Sequence, residues 1–194
     1  MKSDWELPTF EKTELKKKKT RYCLVIPIIN EGEKFKRQLV SLKKYLKFVD
    51  LIIADGGSTD GSTSETFLKK NGVGTLLVKT SPGKLGAQLR MAFAYALKRG
   101  YKGIITMDGN GKDSPESIPR FINSLDQGFD YIQGSRYAKG GRAINTPLER
   151  AIANRYLFSP ILSLAAGKIY TDTSNGHRAY SRKLLLDQNL KLLR

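Results

Sequence analysis

Residues 49–57 read Val-Asp-Leu-Ile-Ile-Ala-Asp-Gly-Gly, a short apolar run that ends in an acidic, glycine-rich turn. A run of this length, bounded by turn residues, is typical of a strand that is buried on both faces. Residues 22–28, Tyr-Cys-Leu-Val-Ile-Pro-Ile, have the same character. Between the two runs, four apolar residues recur at helical spacing and share one face: Phe35, Leu39, Leu42 and Leu46. The order strand, helix, strand indicates two parallel strands joined by a helix that covers the sheet.

The same alternation continues along the chain as far as Arg136. We therefore expect an α/β fold with a mostly parallel central sheet and helices on both faces. The periodicity predicts further strands at residues 75–79, 101–107 and 131–134, and helices at residues 62–70, 85–98 and 115–125.

Outside this region the pattern is less regular. Residues 1–20 are polar and are expected to form a basic, flexible N-terminal arm, which leaves residues 21–194 as a single domain. Residues 147–166 are predicted to be helical with a kink at Pro160. Residues 170–181 are expected to form a polar loop that leads into a short strand.

The composition excludes several classes of protein. One cysteine, Cys23, excludes an internal disulfide and a four-thiolate zinc site. No apolar run reaches the roughly 18–20 residues that span a bilayer. The first residues contain no apolar core of a signal peptide, so a cytoplasmic location is expected.

The net charge of +16 indicates an anionic partner, which can be nucleic acid, an anionic lipid surface or a phosphorylated small molecule. Nucleic acid is disfavoured because no recognition helix or aromatic stacking motif is present. Lys16 to Lys19 form a tight basic run just before the first buried strand. A solvated leader is the favoured interpretation of this run, and a membrane surface is the partner that would suit it otherwise, at ~1 kcal/mol per lysine.

Polar, glycine-rich segments follow the predicted strands. Ligands of parallel α/β sheets bind beyond the carboxyl ends of the strands, so these segments are expected to gather at one edge. They are Asn30-Glu31, Asp55-Gly56-Gly57, Asp108-Gly109-Asn110 and Gly134-Ser135-Arg136.

The carboxylates at this edge have distinct predicted roles. Asp55 is expected to accept hydrogen bonds from a ribose hydroxyl or a base edge, while Asp60 is expected only to cap a helix. Asp108 and Asn110, at positions i and i+2, can share a divalent cation that bridges phosphate oxygens. The same segment can equally form a simple Gly-Asn turn, and the residues alone favour neither interpretation.

Five basic residues lie in or beside the predicted loops: Lys84, Arg136, Lys139, Arg142 and Arg178. Each one alone is better explained as a solvated surface charge, but several near a carboxylate-lined edge favour a diphosphate site. Cys23 is expected to be an inert core thiol, and His177 to be structural rather than a metal ligand or a base.

The order of five motifs resembles that of family-2 glycosyltransferases. Ile26-Pro27-Ile28-Ile29-Asn30-Glu31 resembles their opening Pro-x-x-Asn-Glu, and residues 55–61 resemble their nucleotide-binding turn. Residues 108–116 resemble the metal-binding Asp-x-Asp segment with its following Pro-Glu. Residues 134–137 and 173–178 are similar to the Gly-Ser-Arg and Thr-Ser-Gly-Phe-Arg segments of the branch that includes dolichyl-phosphate mannose synthase. The resemblance covers roughly residues 22–187.

This resemblance implies a glycosyltransferase-A, Rossmann-like fold and inverting transfer from a GDP- or UDP-linked sugar. It also implies a divalent metal, Mg²⁺ or Mn²⁺, on the diphosphate, and an acceptor that is usually a polyprenyl phosphate at a membrane. The resemblance assigns Pro27, Ile29, Glu31 and Asp55 to the nucleoside, Asp108 and Asn110 to the metal, and Arg136 and Arg178 to phosphates. Lys84, one of the basic residues in or beside the predicted loops, is a further candidate for substrate binding. A phosphate acceptor needs little general base, whereas a hydroxyl acceptor would need one, for which Asp172 is the candidate.

Two departures from the family pattern weaken the expected metal site. Asn110 stands where the family has a second metal-binding Asp, and Lys112 adds a positive charge nearby. A catalytically weakened nucleotide-sugar-binding protein of the same fold is therefore an alternative, and a basic nucleic-acid-binding domain is a less favoured one.

Peripheral membrane contact is expected from two features acting together. The first is the lysine run, Lys16 to Lys19, and the second is an apolar stretch in the predicted helix: Leu157, Phe158, Ile161 and Leu162. Each has a competing explanation, because the first can be a solvated arm and the second can be part of the core.

Overall fold

The computed structural model describes residues 5–138, 140, 141, 146–187, 190 and 193. Within these residues the chain forms seven strands: Phe10–Glu14 (β1), Tyr22–Ile28 (β2), Asp50–Asp55 (β3), Val73–Lys79 (β4), Gly103–Thr106 (β5), Tyr131–Gln133 (β6) and Arg178–Ser181 (β7). The helices in the same part of the chain are Gly32–Leu42 (α1), Glu65–Lys70 (α2), Leu85–Lys98 (α3), Ile118–Asp126 (α4), Leu148–Ala153 (α5), Ser159–Ala166 (α6) and Arg182–Leu185 (α7).

The sheet has the strand order β1-β4-β3-β2-β5-β7-β6. Strand β2 runs parallel to both β3 and β5, and β3 runs parallel to β4. The register of β2 and β3 sets Cys23 opposite Asp50 and Ile28 opposite Asp55, so these strands end together. The predicted α/β fold with a mostly parallel sheet is confirmed.

Apolar side chains alternate between the two faces of β2 and build two cores. Leu24 and Ile26 pack on one face with Phe35 of α1, and Cys23 and Val25 pack on the other face in the core that contains α3. The Cys23 thiol is fully buried, and burial raises its pKa, as expected of an unreactive core thiol.

The N-terminal segment departs from the expected flexible arm. Residues Phe10–Glu14 form β1, which pairs antiparallel with β4 from Phe10 opposite Lys79 to Glu14 opposite Thr75. Most side chains of β1 are polar and exposed, so no apolar run marked this strand in the sequence. Backbone hydrogen bonds to the free edge of β4 hold it instead.

The lysine run is also fixed by its backbone. The amide N–H groups of Lys19 and Thr20 donate to the Asp50 carboxylate at 2.9 and 3.0 Å, and that of Lys16 donates to the carbonyl of Gly74 at 3.0 Å. Asp50 and Gly74 lie at or near the amino ends of their strands, so Lys16 to Lys19 lie at the edge opposite Asp55. At about 3.3 Å per residue, the seven residues of β2 separate the two edges by roughly 20 Å.

Charge is strongly polarised along these strands. We call the segments that precede the parallel strands, residues 15–21, 43–50, 69–72 and 98–102, the amino edge, and those that follow them, residues 29–33, 55–64, 80–84 and 108–116, the carboxyl edge. The amino edge contains thirteen lysine and arginine residues and one acid, Asp50. The carboxyl edge contains seven acids and two lysines. The basic excess of the chain is therefore concentrated away from the edge that was expected to bind phosphates.

The chain divides into two compact units, each described by itself. The sheet unit comprises residues 1–132 and 179–194, and the helical unit comprises residues 133–178. The prediction of a single domain over residues 21–194 stays a prediction. In the helical unit a π-helical turn at Asn154–Phe158, in the turn before Pro160, separates α5 from α6, and the predicted kink at Pro160 stays a prediction. Pro160 lies in the first turn of α6, directly after this π-helical turn.

Asp50 is expected to hold the amino edge together. Its carboxylate accepts the Lys19 and Thr20 amides and the Tyr101 hydroxyl, which donates at 3.0 Å. Asp50→Ala should lower the free energy of unfolding by about 2 kcal/mol, because three donors lose their acceptor. Urea denaturation measures this loss. Glu11→Ala, an exposed substitution on β1, is the control and should change stability by less than about 0.5 kcal/mol; equal effects would contradict the assignment.

Candidate functional site

Asp55 ends β3 and organises the glycine-rich turn that follows it. Its Oδ1 accepts the N–H of Gly57 at 3.1 Å and both the N–H and the hydroxyl of Ser58, at 2.9 and 2.6 Å. Among the described residues, none donates a hydrogen bond to Oδ2 of Asp55. One carboxylate oxygen thus shapes the turn, and the residue as a whole is 1% exposed.

Asn30 joins the ends of β2 and β3. Its backbone has a φ of 52°, in the left-handed region that Asn tolerates better than most residues. Its N–H donates to Ser58 Oγ at 3.0 Å, and its Oδ1 accepts the Thr59 N–H at 2.8 Å. The sequence motif contained Asn30, but no role had been assigned to it.

Asp60 has the capping role expected of it, through a long-range contact. Its Oδ2 accepts the N–H of Gly32, the first residue of α1, at 2.8 Å, while its Oδ1 accepts from Ser62. The hydrogen bonds from Ser62, followed by that from Gly32, lower the pKa of Asp60 below its ordinary value. The turn after β3 therefore fixes the start of α1.

Gln88 of α3 joins the ends of β2 and β3 by hydrogen bonds. Its side chain is buried, and its Nε2 donates to the carbonyls of Ile28 and Ala54 at 2.8 and 2.9 Å. Sequence reasoning missed Gln88, because its partners are carbonyl groups at the ends of strands that are distant in the sequence.

The Asp108-Gly109-Asn110 segment packs against the end of β2. Gly109 is buried, and a Cβ built on it would overlap Cγ2 of Ile28 and lie 3.1 Å from the carbonyl oxygen of Pro27. Gln38 of α1, also missed from the sequence, donates to the carbonyl of Asp108 at 2.8 Å. These contacts bring the segment to the same edge of the sheet as Asp55.

The oxygen atoms of this segment suit a divalent cation only with help from a ligand. Asn110 Oδ1 accepts the Lys112 N–H at 3.0 Å, which closes a turn but leaves this carbonyl a second lone pair. Asp113 Oδ2 accepts the Asp108 N–H at 3.1 Å. No cluster of three or more His, Cys, Asp or Glu that could hold a metal occurs among the described residues. Mg²⁺ is commonly held by one or two carboxylates together with substrate phosphates, and Asp108 with Asn110 fits that mode.

The other expected nucleoside contacts lie at the same edge. Pro27 is half-buried and pairs with Ala54, and Ile29 is 56% exposed. Glu31 precedes α1 and makes no side-chain hydrogen bond to the helix. Lys84 is exposed just before α3. With Asp55, Asp108 and Asn110, these residues form the group of predicted site residues in the sheet unit.

Arg136 and Asp172 form a two-point ion pair in the helical unit. Arg136 Nε donates to Oδ2 at 2.7 Å, and Nη2 donates to Oδ1 at 3.0 Å. The Arg136 backbone N–H donates to Oδ2 as well, at 3.1 Å. The Asp172 side chain is fully buried, whereas 22% of the Arg136 side chain is exposed.

This geometry revises the expected role of Asp172. Burial by itself would raise the pKa of Asp172, but the hydrogen bonds and the charge of Arg136, with the Ser174 N–H, outweigh it and lower the pKa. A general base must reach its substrate and hold a proton near neutral pH. A buried, ion-paired carboxylate is poorly suited to either task and instead fixes the direction of Arg136.

Arg178 stabilises the neighbouring loop. Its Nε donates to the carbonyl of Asn175 at 2.9 Å, and its Nη2 donates to that of Thr173 at 3.2 Å. His177 is buried, and its carbonyl accepts the Gly134 N–H, which fits the structural role expected of it. Lys139 and Arg142 lie outside the described residues.

The stretch from α5 to α6 exposes an unusual amount of apolar surface. The four apolar residues singled out in the sequence are each about half exposed: Leu157, Phe158, Ile161 and Leu162. Leu164 is 87% exposed and Tyr156 is 71% exposed. We call these exposed residues together the apolar face of the helical unit; none of them belongs to a core cluster of the described residues.

A family model described as "Glycosyl transferase family 2" matches residues 23–187. The chain belongs to this family. Membership confirms the resemblance drawn from the five motifs, all of which lie within or at the border of the matched region.

Curated relatives share the sequence over most of this chain. It is 30% identical over 168 residues to a polyprenol monophosphomannose synthase of Mycolicibacterium smegmatis, covering 85% of this chain and 63% of that protein. It is 29% identical over 162 residues to an undecaprenyl-phosphate mannosyltransferase of Micrococcus luteus, covering 82% and 66%. The chain thus spans a little under two thirds of the length of these relatives.

Solved structures confirm the glycosyltransferase-A fold. A glucosyl-3-phosphoglycerate synthase from Mycobacterium tuberculosis, solved with Mn²⁺, UDP and phosphoglyceric acid, superposes with a TM-score of 0.61 at 19% identity. The match covers 84% of this chain and 56% of that one. In the described part of this chain, no helix has the length and apolar character needed to cross a bilayer.

Gly109 is expected to tolerate no side chain. Gly109→Ala should destabilise the protein by about 1–3 kcal/mol, because the added methyl group overlaps Ile28. Thermal denaturation measures this effect. The matched control is Gly86→Ala in α3, where the nearest atom to a new Cβ is 3.9 Å away and alanine favours the helix. An unchanged melting temperature for Gly109→Ala would show that the segment does not pack tightly on β2.

The ion pair of Asp172 is expected to stabilise the protein at neutral pH. The lowered pKa means that this contribution is present above the ordinary carboxyl pKa of ~3.9 and is lost as the pH falls through the lower folded value. Asp172→Asn should therefore cost about 3 kcal/mol at pH 7 and progressively less below pH ~4. Urea denaturation across this range is the measurement. Glu33→Gln, which removes an exposed pair with Lys36, should cost at most about 1 kcal/mol.

Proposed function

We propose that this protein is an inverting glycosyltransferase that transfers a sugar from a nucleoside-diphosphate sugar to a polyprenyl phosphate. The observation that supports this most directly is the carboxyl edge of a family-2 chain, where Asp55 and the Asp108-Gly109-Asn110 segment both lie beside the end of β2. The names of the two curated relatives, which refer to polyprenol and undecaprenyl phosphate, support the acceptor class.

The nucleoside is proposed to bind between the ends of β2 and β3. Asp55 Oδ2 accepts a hydrogen bond from the nucleoside, while its Oδ1 keeps the turn in place. Ile29, exposed beside this turn, offers an apolar surface to the base, and Pro27 and Glu31 flank it. These contacts do not distinguish GDP from UDP, so both remain candidate donors.

The donor diphosphate is proposed to lie over Asp108 and Asn110, with Lys84 nearby. Asp108 and Asn110 would hold Mg²⁺ or Mn²⁺, which would neutralise charge on the departing nucleoside diphosphate. Because Asn110 contributes no charge, the binding of the cation depends strongly on the phosphates of the donor.

The acceptor phosphate is proposed to bind to Arg136 and Arg178. One of its oxygens attacks the anomeric carbon from the side opposite the diphosphate and forms the new C–O bond. The bond between that carbon and the diphosphate oxygen breaks, and its electron pair leaves with the nucleoside diphosphate. Because the attacking phosphate is already anionic, no general base is needed, which agrees with the ion-paired state of Asp172.

A transfer assay tests this function. The protein is incubated with farnesyl phosphate, a short polyprenyl phosphate, and separately with GDP-mannose, UDP-glucose and related donors, with Mg²⁺, Mn²⁺ or EDTA. We expect one donor to yield a glycosyl farnesyl phosphate, detected by mass spectrometry. Asp55→Ala should reduce its rate at least tenfold, while Glu33→Gln, a solvent-facing acid of the same edge, should not.

The outcome of this assay also separates the alternatives. A weakened nucleotide-sugar-binding protein would be stabilised thermally by a donor yet give no product with any acceptor. A lack of both stabilisation and product for every donor would overturn the proposal.

We further propose that the apolar face of the helical unit contacts the membrane that contains the acceptor. Its half-exposed residues provide apolar area that is costly to leave in water, at about 25 cal/mol per Å². The lysine run is a poorer candidate than the sequence indicated. It lies at the amino edge, so docking through it would turn the carboxyl edge away from the lipid.

Vesicle co-sedimentation distinguishes the two surfaces. Leu157→Ser combined with Ile161→Ser should reduce binding to phosphatidylcholine vesicles at least tenfold, since two large apolar side chains lose their burial. Replacement of Lys16 to Lys19 by glutamine should retain most of the binding. The reverse result, with binding lost only in the lysine variant and only for anionic vesicles, would restore the lysine run as the docking surface.

A further inference from the structure

Asn154 is a buried polar residue in the middle of the most apolar helical stretch of the helical unit. It is 1% exposed and is the first residue of the π-helical turn between α5 and α6. A buried amide must be hydrogen-bonded to be tolerated, and an apolar residue would pack at this position without that requirement. The contacts of the amide therefore indicate why an asparagine stands here.

Both ends of this amide contact the loop that holds Asp172. Oδ1 accepts the N–H of Thr173 at 3.1 Å and its hydroxyl at 2.9 Å. Nδ2 lies 3.4 Å from Asp172 Oδ1 and 3.4 Å from the carbonyl oxygen of Thr171, at the long end of hydrogen-bond range. One side chain thus spans three consecutive residues and uses its donor and its acceptor on different ones.

Asn154 begins the π-helical turn. A π turn adds one residue to the helical repeat and is uncommon, and such turns are often found at functional sites. Here it occurs where the Asn154 side chain meets the Asp172 loop, between two regular α-helices.

Asp172 in turn fixes the guanidinium group of Arg136. The pair has two side-chain contacts, and Ser174 Oγ accepts a further hydrogen bond from Arg136 Nη2 at 2.6 Å. A chain of contacts therefore runs from Asn154 through Asp172 to Arg136.

We infer that Asn154 is a positioning residue that acts through Asp172 to set the direction in which Arg136 meets the acceptor phosphate. This inference rests on the proposed function for the ligand of Arg136. The contact between Asn154 and Asp172 is independent of that ligand, so it can be tested separately.

Asn154→Asp is the sharpest variant, because it keeps the size and the Oδ1 acceptor. It replaces the Nδ2 donor by an anionic oxygen beside Asp172, which repels that carboxylate and loosens its pair with Arg136. The matched control is Asn71→Asp, which introduces the same change at a buried asparagine that ends α2 and donates to the carbonyl of Phe67.

The first measurement is a thermal stability cycle with Asp172→Asn, without substrate. Asn154→Asp should lower the melting temperature by about 5 °C in the wild-type background, and by less than half as much when position 172 is uncharged. Asn71→Asp should show no such dependence on Asp172→Asn. Equal losses for Asn154→Asp in both backgrounds would overturn the inference.

The second measurement is calorimetric binding of farnesyl phosphate and, separately, of UDP and GDP. Asn154→Asp should weaken farnesyl phosphate binding about tenfold and leave nucleotide binding unchanged. In an Arg136→Gln background the same substitution should have no further effect, since the residue through which it acts is gone. A purely structural role would give the same loss in both backgrounds and would overturn the inference.

Failure of the proposed function gives a different result. In that case the wild-type protein itself would bind no farnesyl phosphate, and the inference would fall with the acceptor assignment. Binding by the wild type that Arg136→Gln weakens and Asn154→Asp leaves unchanged would overturn the inference alone.

Discussion

The parallel pairing of β2 with β3 is the constraint on which the candidate donor site depends. It sets Ile28 opposite Asp55, so that both strands end at the same level and their following turns meet. Gln88 fixes this junction from α3 by donating to one carbonyl of each strand. Asn30 and Asp60 then tie the turn after β3 to the turn after β2 and to the start of α1. The proposed nucleoside contacts therefore depend on a few hydrogen bonds between segments that are distant in the sequence.

Much of the sheet unit could be predicted from residue patterns. The bounds of β2 and α3 match the predictions, because both segments have a long and unbroken apolar pattern. Strand β1 could not be found in this way, since its stabilising partner β4 lies some 60 residues away and its own side chains are mostly polar. The same limit explains why Gln38 and Gln88 were not predicted from the sequence. Their importance comes from carbonyl groups at other strand ends, which no local pattern records.

Asp172 shows that a sequence can locate a residue without determining its chemical role. Its position beside the Thr-Ser-Asn-Gly loop was visible in the sequence, but its role depends on a guanidinium 36 residues earlier. An isolated carboxylate can act as a base, whereas one paired at two points with arginine is held in its charged form. The two groups of predicted site residues thus differ in chemistry. Those in the sheet unit present hydrogen-bond acceptors, whereas in the helical unit Asp172 orients the guanidinium group of Arg136.

The separation of charge along the strands affects which charges of the protein act on an anion near the carboxyl edge. The thirteen basic residues of the amino edge lie roughly 20 Å from Asp55, which exceeds the ~8 Å Debye length of physiological salt. An anion near Asp55 is therefore screened from most of that charge, although the net charge of the chain is +16, and nearby groups act on it most strongly. These include the seven acids of the carboxyl edge and also Lys34 and Arg37, which line a pocket with Asn110 and Asp113. In very dilute salt, where the Debye length reaches about 30 Å, both edges act and the molecule attracts anions as a whole. Ionic strength thus decides how much of the amino-edge charge reaches an anion near Asp55, and the total charge of this protein is a poor guide to its affinity for a nucleotide.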